Sequence, residues 1–251
     1  MAVGLILSIT EAINLILPFL YTKAGISAAD ASGKGSKQVV WITWILGLVV
    51  LSSYILLPSQ SVALVFVASI TLLIFASMFL AGSNEAAFCN MIASSFGFVY
   101  GALPWLSIWY LYRSGSGAAN LIFLLVLVWG SDTGGYFGGR LFGKNKLAPR
   151  ISPKKTREGA VAALLTSLIG GILIKQYYGM EVSYMGWIAV IAIVGGVATQ
   201  LGDLVESAIK RVVGVKDSGK LLPGHGGFLD RVDGLLMAAP IVALMLQLMS
   251  S

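Results

Sequence analysis

Ser207-Ala-Ile-Lys210-Arg211-Val-Val-Gly-Val-Lys216-Asp217-Ser-Gly219-Lys-Leu-Leu-Pro223-Gly224-His225-Gly226-Gly227-Phe-Leu-Asp230-Arg231-Val-Asp233 places five cations, three acids and the chain's one histidine between two long apolar runs. A charged side chain at a bilayer centre costs ~2.5–3.5 kcal/mol on insertion scales. The stretch therefore lies in water at a membrane edge or lines a wet cavity. Either position suits a site for a charged substrate.

The run on its amino-terminal side starts near Ser183 and stays apolar to about Ala198. It then turns polar without a breaker, through Gln200, Asp203, Glu206, Ser207 and Lys210. This reads as one helix whose cytoplasmic end leaves the lipid. The run on the other side is 235–249, with Pro240 inside. The whole chain shares this character: its 251 residues are 57% hydrophobic and only 11% charged. A soluble domain carries roughly a quarter charged residues, and a spanning helix needs ~20 mostly apolar ones. The expectation is an all-α, polytopic transmembrane bundle of about eight spans with a polar cavity facing the cytoplasm.

Further runs lie at 3–22, 39–57, 62–82, 92–112, 119–130 and 160–176. Glu11 interrupts the first, which reads as a retained helix because no charged n-region of a cleaved signal peptide precedes it. That carboxylate is either an interhelix hydrogen-bonder or an acid on a ligand path. Residues 83–91 read as a turn or a re-entrant piece, and Gly101 with Pro104 predicts a kink in the fourth run. The fifth run ends at Ser131-Asp132-Thr133-Gly134-Gly135-Tyr136, and residues 138–158 then carry seven cations against Glu158 alone. No repeat or linker is visible. Residues 1–118 read as amino-terminal transmembrane helices and 119–251 as the catalytic region of a single integral membrane domain.

The formal net charge of +6 could suggest nucleic acid. The Lys/Arg residues cluster in loops, however, as the positive-inside rule expects, so no nucleic-acid partner is expected. That rule puts 138–158, 207–233 and 23–38 in the cytoplasm and both termini outside. The single cysteine, Cys89, excludes an intrachain disulfide and reads as a small apolar packer.

Three clusters share one compartment: Asp132 with its glycines and Tyr136; Ser152-Pro153-Lys154-Lys155-Thr156; and Asp203 to Asp233. On a helix, Glu206, Ser207 and Lys210 share the face of Asp203. Asp230 and Asp233 share another if the last helix starts there. Hard oxygen ligands from two segments suit Mg²⁺, which takes one or two carboxylates plus substrate phosphate and water. Equally, these acids could pair with Lys210, Arg211 and Arg231. The Gly224–Gly227 loop could offer amides to a phosphate or be an ordinary turn, with His225 a phosphate contact or a turn hydrogen-bonder. The Lys154-Lys155 stretch is a phosphate clamp or a patch for anionic lipid. Acids for a metal, cations for phosphates and glycines for close approach together point to phosphoryl or nucleotidyl transfer to a membrane-held acceptor.

Ser207-x-x-Lys210-Arg211, Lys216-Asp217-x-Gly219, Pro223-Gly224-His225-Gly226-Gly227 and Asp230-Arg231-x-Asp233 resemble the phosphatidate cytidylyltransferase (CDP-diacylglycerol synthase) family. Trp129-Gly130-x-Asp132-x-Gly134-x-Tyr136 and Ser152-Pro153-x-Lys155-Thr156-x-x-Gly159 extend the resemblance over roughly 119–240. It implies that CTP and phosphatidic acid give CDP-diacylglycerol and pyrophosphate, as a step of phospholipid synthesis, in a dimeric enzyme of the bacterial inner membrane with its site facing the cytoplasm. It also implies Mg²⁺, with a second cation such as K⁺ as an option. Asp203 and Asp230 are the expected metal ligands, with Glu206 and Asp233 beside them and Asp132 and Asp217 as further organisers. Lys155, Lys210, Arg211, Lys216 and Arg231 would hold phosphates, assisted by Ser152, Ser207, His225, Gly226 and Gly227. The nearest rival is another CTP-using membrane enzyme, such as a polyprenol kinase or an archaeal-lipid cytidylyltransferase. An ion-path transporter would show repeats and mid-span charges, and a membrane scaffold would not need the clustered acids.

Overall fold

The computed structural model describes residues 1–26, 34–57, 59–179, 185–221 and 226–249. The described chain folds into eight helices: α1 (Ala2–Lys23), α2 (Lys34–Leu56), α3 (Ser59–Phe79), α4 (Asn84–Arg113), α5 (Gly117–Phe142), α6 (Arg157–Tyr178), α7 (Met185–Val213) and α8 (Leu229–Met249). All eight are long and apolar enough to cross a membrane, as the hydropathy pattern predicts. A short antiparallel hairpin, β1 (Lys146–Ala148) and β2 (Ser152–Thr156), joins α5 to α6, with Lys146 opposite Thr156 and Ala148 opposite Ser152.

Two boundaries differ from the sequence reading. Residues 84–91 are not a turn or a re-entrant piece but the first turns of α4. Ser83 Oγ accepts the Ala86 N–H at 3.2 Å, which satisfies one of the free amide donors of a helix start. The fifth helix does not stop at the glycines after Asp132 but runs on to Phe142. Those glycines are contact points rather than breaks. A Cβ at Gly134 would strike the Ala162 carbonyl oxygen, at 2.8 Å, and the Thr166 side chain, and one at Gly138 would strike Ala162.

The chain forms two compact units. The first comprises 1–106 and 213–229, the second 107–212 and 230–251. In the first unit, Gly97 and Gly101 let α4 approach α1 closely. A Cβ on Gly101 would come within 2.8 Å of the Ile9 amide nitrogen, and one on Gly97 would hit Ile13. Small residues four apart are a usual device for helix approach in lipid, where no hydrophobic force favours one helix over a lipid tail. Polar pairs complete this packing: Tyr21 Oη donates to Asn90 Oδ1 at 2.6 Å and Trp105 Nε1 to Ser8 Oγ at 3.0 Å. Cys89 is buried, in keeping with a packing role.

In the second unit, Leu111, Phe123, Leu124, Leu127, Ile188, Ile191, Val242 and Leu246 form one buried core with alanines of α7 and α8. Thr166 Oγ1 and Ser167 Oγ donate to the Gly130 and Leu127 carbonyls at 2.7 and 2.9 Å, tying α6 to α5. Gly202 abuts the Asp233 backbone, and Gly234 abuts Thr199. The acids of α7 and α8 flank this closest approach. At 29 residues and 1.5 Å per residue, α7 is about 43 Å long. That exceeds a ~30 Å hydrocarbon core, so part of the helix lies outside the lipid interior, as its polar carboxyl-terminal turns imply.

Candidate active site

The second unit holds a cavity of about 540 Å³ lined by α5, β1, β2, α6 and α7. Each contributes for a local reason. Helix α5 continues past its apolar run and so presents Ser131, Asp132, Tyr136 and Arg140. The hairpin brings Lys154 and Lys155 to the wall, and α7 adds Gln200 and Asp203 one turn apart. Gly135, Gly139 and Gly159 form part of the lining. The backbone is bare there because α5 and α6 nearly touch: a Cβ on Gly159 would lie 2.8 Å from the Gly135 carbonyl oxygen.

The hairpin is anchored by residues whose roles are local. Thr156 Oγ1 accepts the Gly159 N–H at 3.1 Å and so caps α6. Glu158 does not neutralise the surrounding cations. Its carboxylate accepts the Lys144 and Asn145 amides at 3.1 and 3.2 Å and the Asn145 side chain at 2.7 Å. Arg211 donates to the Ile151 carbonyl at 3.4 Å, so this cation of the 207–233 stretch tethers the hairpin to α7.

Two groups of charges follow along α7. In the first, Lys155 Nζ lies 2.6 Å from Asp203 Oδ2, while Ser207 donates to Asp203 Oδ1 at 3.2 Å. Asp132 is within electrostatic reach of both Lys155 and Asp203. In the second, Lys210 Nζ is 2.5 Å from Asp230 Oδ1 and 3.4 Å from Glu206 Oε1. Asp233 lies within electrostatic reach of Glu206 and of Asp203, and so links the groups. Asp230 and Asp233 both stand in the first turns of α8, the placement their spacing requires.

Of the residues singled out in the sequence, Asp132, Lys155, Asp203 and Ser207 come together at or beside the cavity. Glu206 and Asp230 come together around the Lys210 ammonium, with Asp233 within electrostatic reach of Glu206. Arg231 is exposed on α8, and Ser152 is half-buried on β2. Lys216, Asp217, Gly226 and Gly227 belong to the first unit. There Lys216 and Asp217 are exposed, and Gly227 is buried against Ser218 and Gly219. Gly226 has φ +82°, a left-handed conformation that disfavours side chains. His225 lies outside the described residues. Sequence reasoning passed over Ser131, Gln200 and the cavity-lining role of Arg140. Only the unexpected length of α5 brings Ser131 and Arg140 to one wall. Ser131 Oγ is buried with no hydrogen-bond partner among the described residues, so a donor or acceptor on a ligand would satisfy it.

Among the described residues, no group of three or more Asp, Glu, His or Cys side chains is arranged to hold a metal by itself. The donor set nevertheless fits a cation that arrives with phosphate. Mg²⁺ commonly takes one or two carboxylates and completes its shell with substrate oxygens and water. Glu206 is 1% exposed. Neither of its oxygens accepts a well-formed hydrogen bond among the described residues. Lys210 pairs with Glu206 and Asp230, and Asp233 lies within electrostatic reach of Glu206.

Fold and site thus define a helical integral membrane protein with an acid- and lysine-lined cavity. The cytidylyltransferase family matches residues 6–249, and the chain belongs to that family. It is 46% identical to the phosphatidate cytidylyltransferase of Brucella suis biovar 1 (strain 1330) over 129 residues, 51% of this chain and 47% of that protein. The phosphatidate cytidylyltransferase of Staphylococcus saprophyticus is 42% identical over 163 residues, 64% of this chain and 59% of that protein. That of Staphylococcus haemolyticus is 41% identical over 165 residues, with the same two shares. The chain spans about half to three-fifths of the length of these relatives.

Proposed function

We propose that the chain transfers CMP from CTP to phosphatidic acid, releasing pyrophosphate and leaving CDP-diacylglycerol in the membrane. An oxygen of the lipid phosphate forms a bond to the α-phosphorus of CTP. The bond from that phosphorus to the α–β bridging oxygen breaks, and pyrophosphate leaves with the electron pair. No protein nucleophile is needed, so the work of the site is positioning and charge neutralisation. The observation that carries this reading is the cavity where Lys154, Lys155 and Arg140 meet Asp132 and Asp203 beside the unpartnered Ser131 hydroxyl. The relatives' names support the choice of substrates.

Lys155 and Lys154 would bind phosphate oxygens, Arg140 would add a further cation, and Ser131 and Gln200 would orient the ligand. Lys210 holds Asp230 and Glu206 in place. Asp203, with Asp132 or with Asp230 and its neighbours, would hold Mg²⁺, which when bound neutralises phosphate charge. We place the cavity on the cytoplasmic side of a bacterial inner membrane, because the basic hairpin region obeys the positive-inside rule there. A homodimer remains part of this proposal.

The test is purified protein with CTP, phosphatidic acid and Mg²⁺, scoring pyrophosphate and liponucleotide together. Equal yields of both are expected. Release of CDP with a newly phosphorylated lipid, and no pyrophosphate, would identify a kinase and overturn the assignment.

A further inference from the structure

Glu11 is a carboxylate in the middle of an apolar helix, 8% exposed, and the chemistry above does not use it. Its surroundings, all within the first unit, are specific. Glu11 Oε1 accepts the Phe228 amide at 2.8 Å, and Oε2 accepts the Leu229 amide at 2.8 Å and the Ser218 hydroxyl at 3.1 Å. All three groups are donors, and both oxygens are engaged. Leu229 is the first residue of α8, so a side chain from α1 satisfies amides at the start of a helix more than two hundred residues away. A helix start carries free N–H groups and a partial positive charge, and here a remote carboxylate meets both.

Two glycines admit that carboxylate. A Cβ on Gly219 would lie 2.7 Å from Glu11 Oε1, and one on Gly227 would lie 2.5 Å from Oε2. The two glycines thus let both backbone segments close on one side chain. A second clasp lies alongside: the Trp105 ring stacks on Phe228 at 6.2 Å, and Trp105 Nε1 donates to Ser8, one turn before Glu11.

We propose that Glu11 is a positioning residue: from α1 it gathers Ser218 and Gly219 with Gly227 and Phe228 and caps α8, fixing where that helix begins. The next residue is Asp230, followed three positions later by Asp233. The register of both acids is therefore set by a group that need not touch substrate. This inference rests on the proposed cytidylyl transfer only for its kinetic consequence.

The experiment compares Glu11→Gln, Ser218→Ala and Tyr21→Phe with the unaltered chain in detergent micelles. Two readings are taken: hydrogen exchange of the 218–229 peptides, and kcat and KM for CTP with phosphatidic acid. Glu11→Gln keeps the side-chain length but turns one acceptor into a donor facing donors. It is expected to speed exchange in 218–229 at least tenfold and to lower kcat at least tenfold, with KM for CTP within threefold. Ser218→Ala removes one of the three bonds and should move exchange and kcat the same way, by a few-fold. It carries the test if Glu11→Gln does not fold. Tyr21→Phe removes another buried bond of α1, to Asn90, and should leave both readings unchanged. Unaltered exchange in 218–229, or faster exchange with unaltered kcat, overturns the proposal. Should the unaltered chain prove inactive with CTP and phosphatidic acid, the function reading falls, and the exchange measurement alone decides the role of Glu11.

Discussion

Lys155 Nζ stands 2.6 Å from Asp203 Oδ2, so the hairpin strand β2 and helix α7 meet through an ion pair at the cavity wall. The two side chains are 25% and 38% exposed. An ion pair that open to water contributes only ~0–1 kcal/mol to stability. Its worth is better explained by what each partner offers a ligand, an ammonium for phosphate and a carboxylate for a cation. Lys155→Ala and Asp203→Asn should therefore each lower kcat/KM at least ~100-fold, about 2.7 kcal/mol of transition-state stabilisation. Melting temperatures should move by only a degree or two. The exchanged pair Lys155→Asp with Asp203→Lys should fold normally and remain inactive. Recovery of activity by that double variant would show that only the pair's geometry matters.

The charges around Lys210 predict a different balance. Lys210 and Glu206 are 14% and 1% exposed, and removing one member of a buried pair costs ~3–5 kcal/mol by stranding the other. Lys210→Met should markedly reduce the yield of folded protein and its thermal midpoint in detergent. Adding Glu206→Gln should restore only part of that loss, because it relieves Glu206 but leaves the 11%-exposed Asp230 stranded. The double variant should stay inactive, since Asp230 would still lack its lysine partner. Equal melting temperatures for the single and double variants would contradict the coupling.

Much of this fold is legible in the sequence. Apolar runs marked all eight helices, since only length and hydropathy are needed to cross a membrane. The i, i+3, i+4 spacing placed Asp203, Glu206, Ser207 and Lys210 on one face. What could not be read was which glycines end a helix and which let two helices touch. Gly134 read as the end of a span, yet it and Gly138 are where α6 packs, because the deciding atoms, on Ala162 and Thr166, are distant in sequence. The same limit hid Ser131 and Arg140 as cavity residues. It also left Glu11 without a partner, because its three donors, Ser218, Phe228 and Leu229, lie more than two hundred residues away.

The α5/α6 seam makes a graded prediction from neighbouring glycines. A Cβ at Gly135 would meet nothing closer than 3.6 Å, whereas one at Gly134 would meet the Ala162 carbonyl oxygen at 2.8 Å and crowd Thr166. Gly135→Ala should be near neutral in thermal stability and retain activity. Gly134→Ala should cost ~1–3 kcal/mol, the usual range for over-packing, and should lower activity by shifting α5 against α6. Thermal unfolding in detergent of the two single variants separates them. Equal stability would mean that the helices can part without penalty.

Chelation and titration test the cation. If Asp203 holds Mg²⁺ together with substrate phosphates, excess chelator should abolish turnover, and added Mg²⁺ should restore it. The carboxylates should then differ in how they shift the Mg²⁺ requirement. Asp203 faces the cavity directly, so Asp203→Glu, which keeps the charge but moves it by a methylene, should raise the Mg²⁺ needed for half-maximal rate at least tenfold. Asp132→Asn should raise it less, because Asp132, which lines the same cavity, meets Asp203 and Lys155 only through space. Binding supplies the independent measurement. Manganese can replace magnesium at oxygen-rich sites, and its paramagnetism reports the bound ion directly when CTP is added. Enhanced water relaxation should require both CTP and an intact Asp203. Full turnover in chelator, or manganese binding unchanged by Asp203→Asn, would remove Asp203 from the cation's shell and leave its ion pair with Lys155 as its whole role.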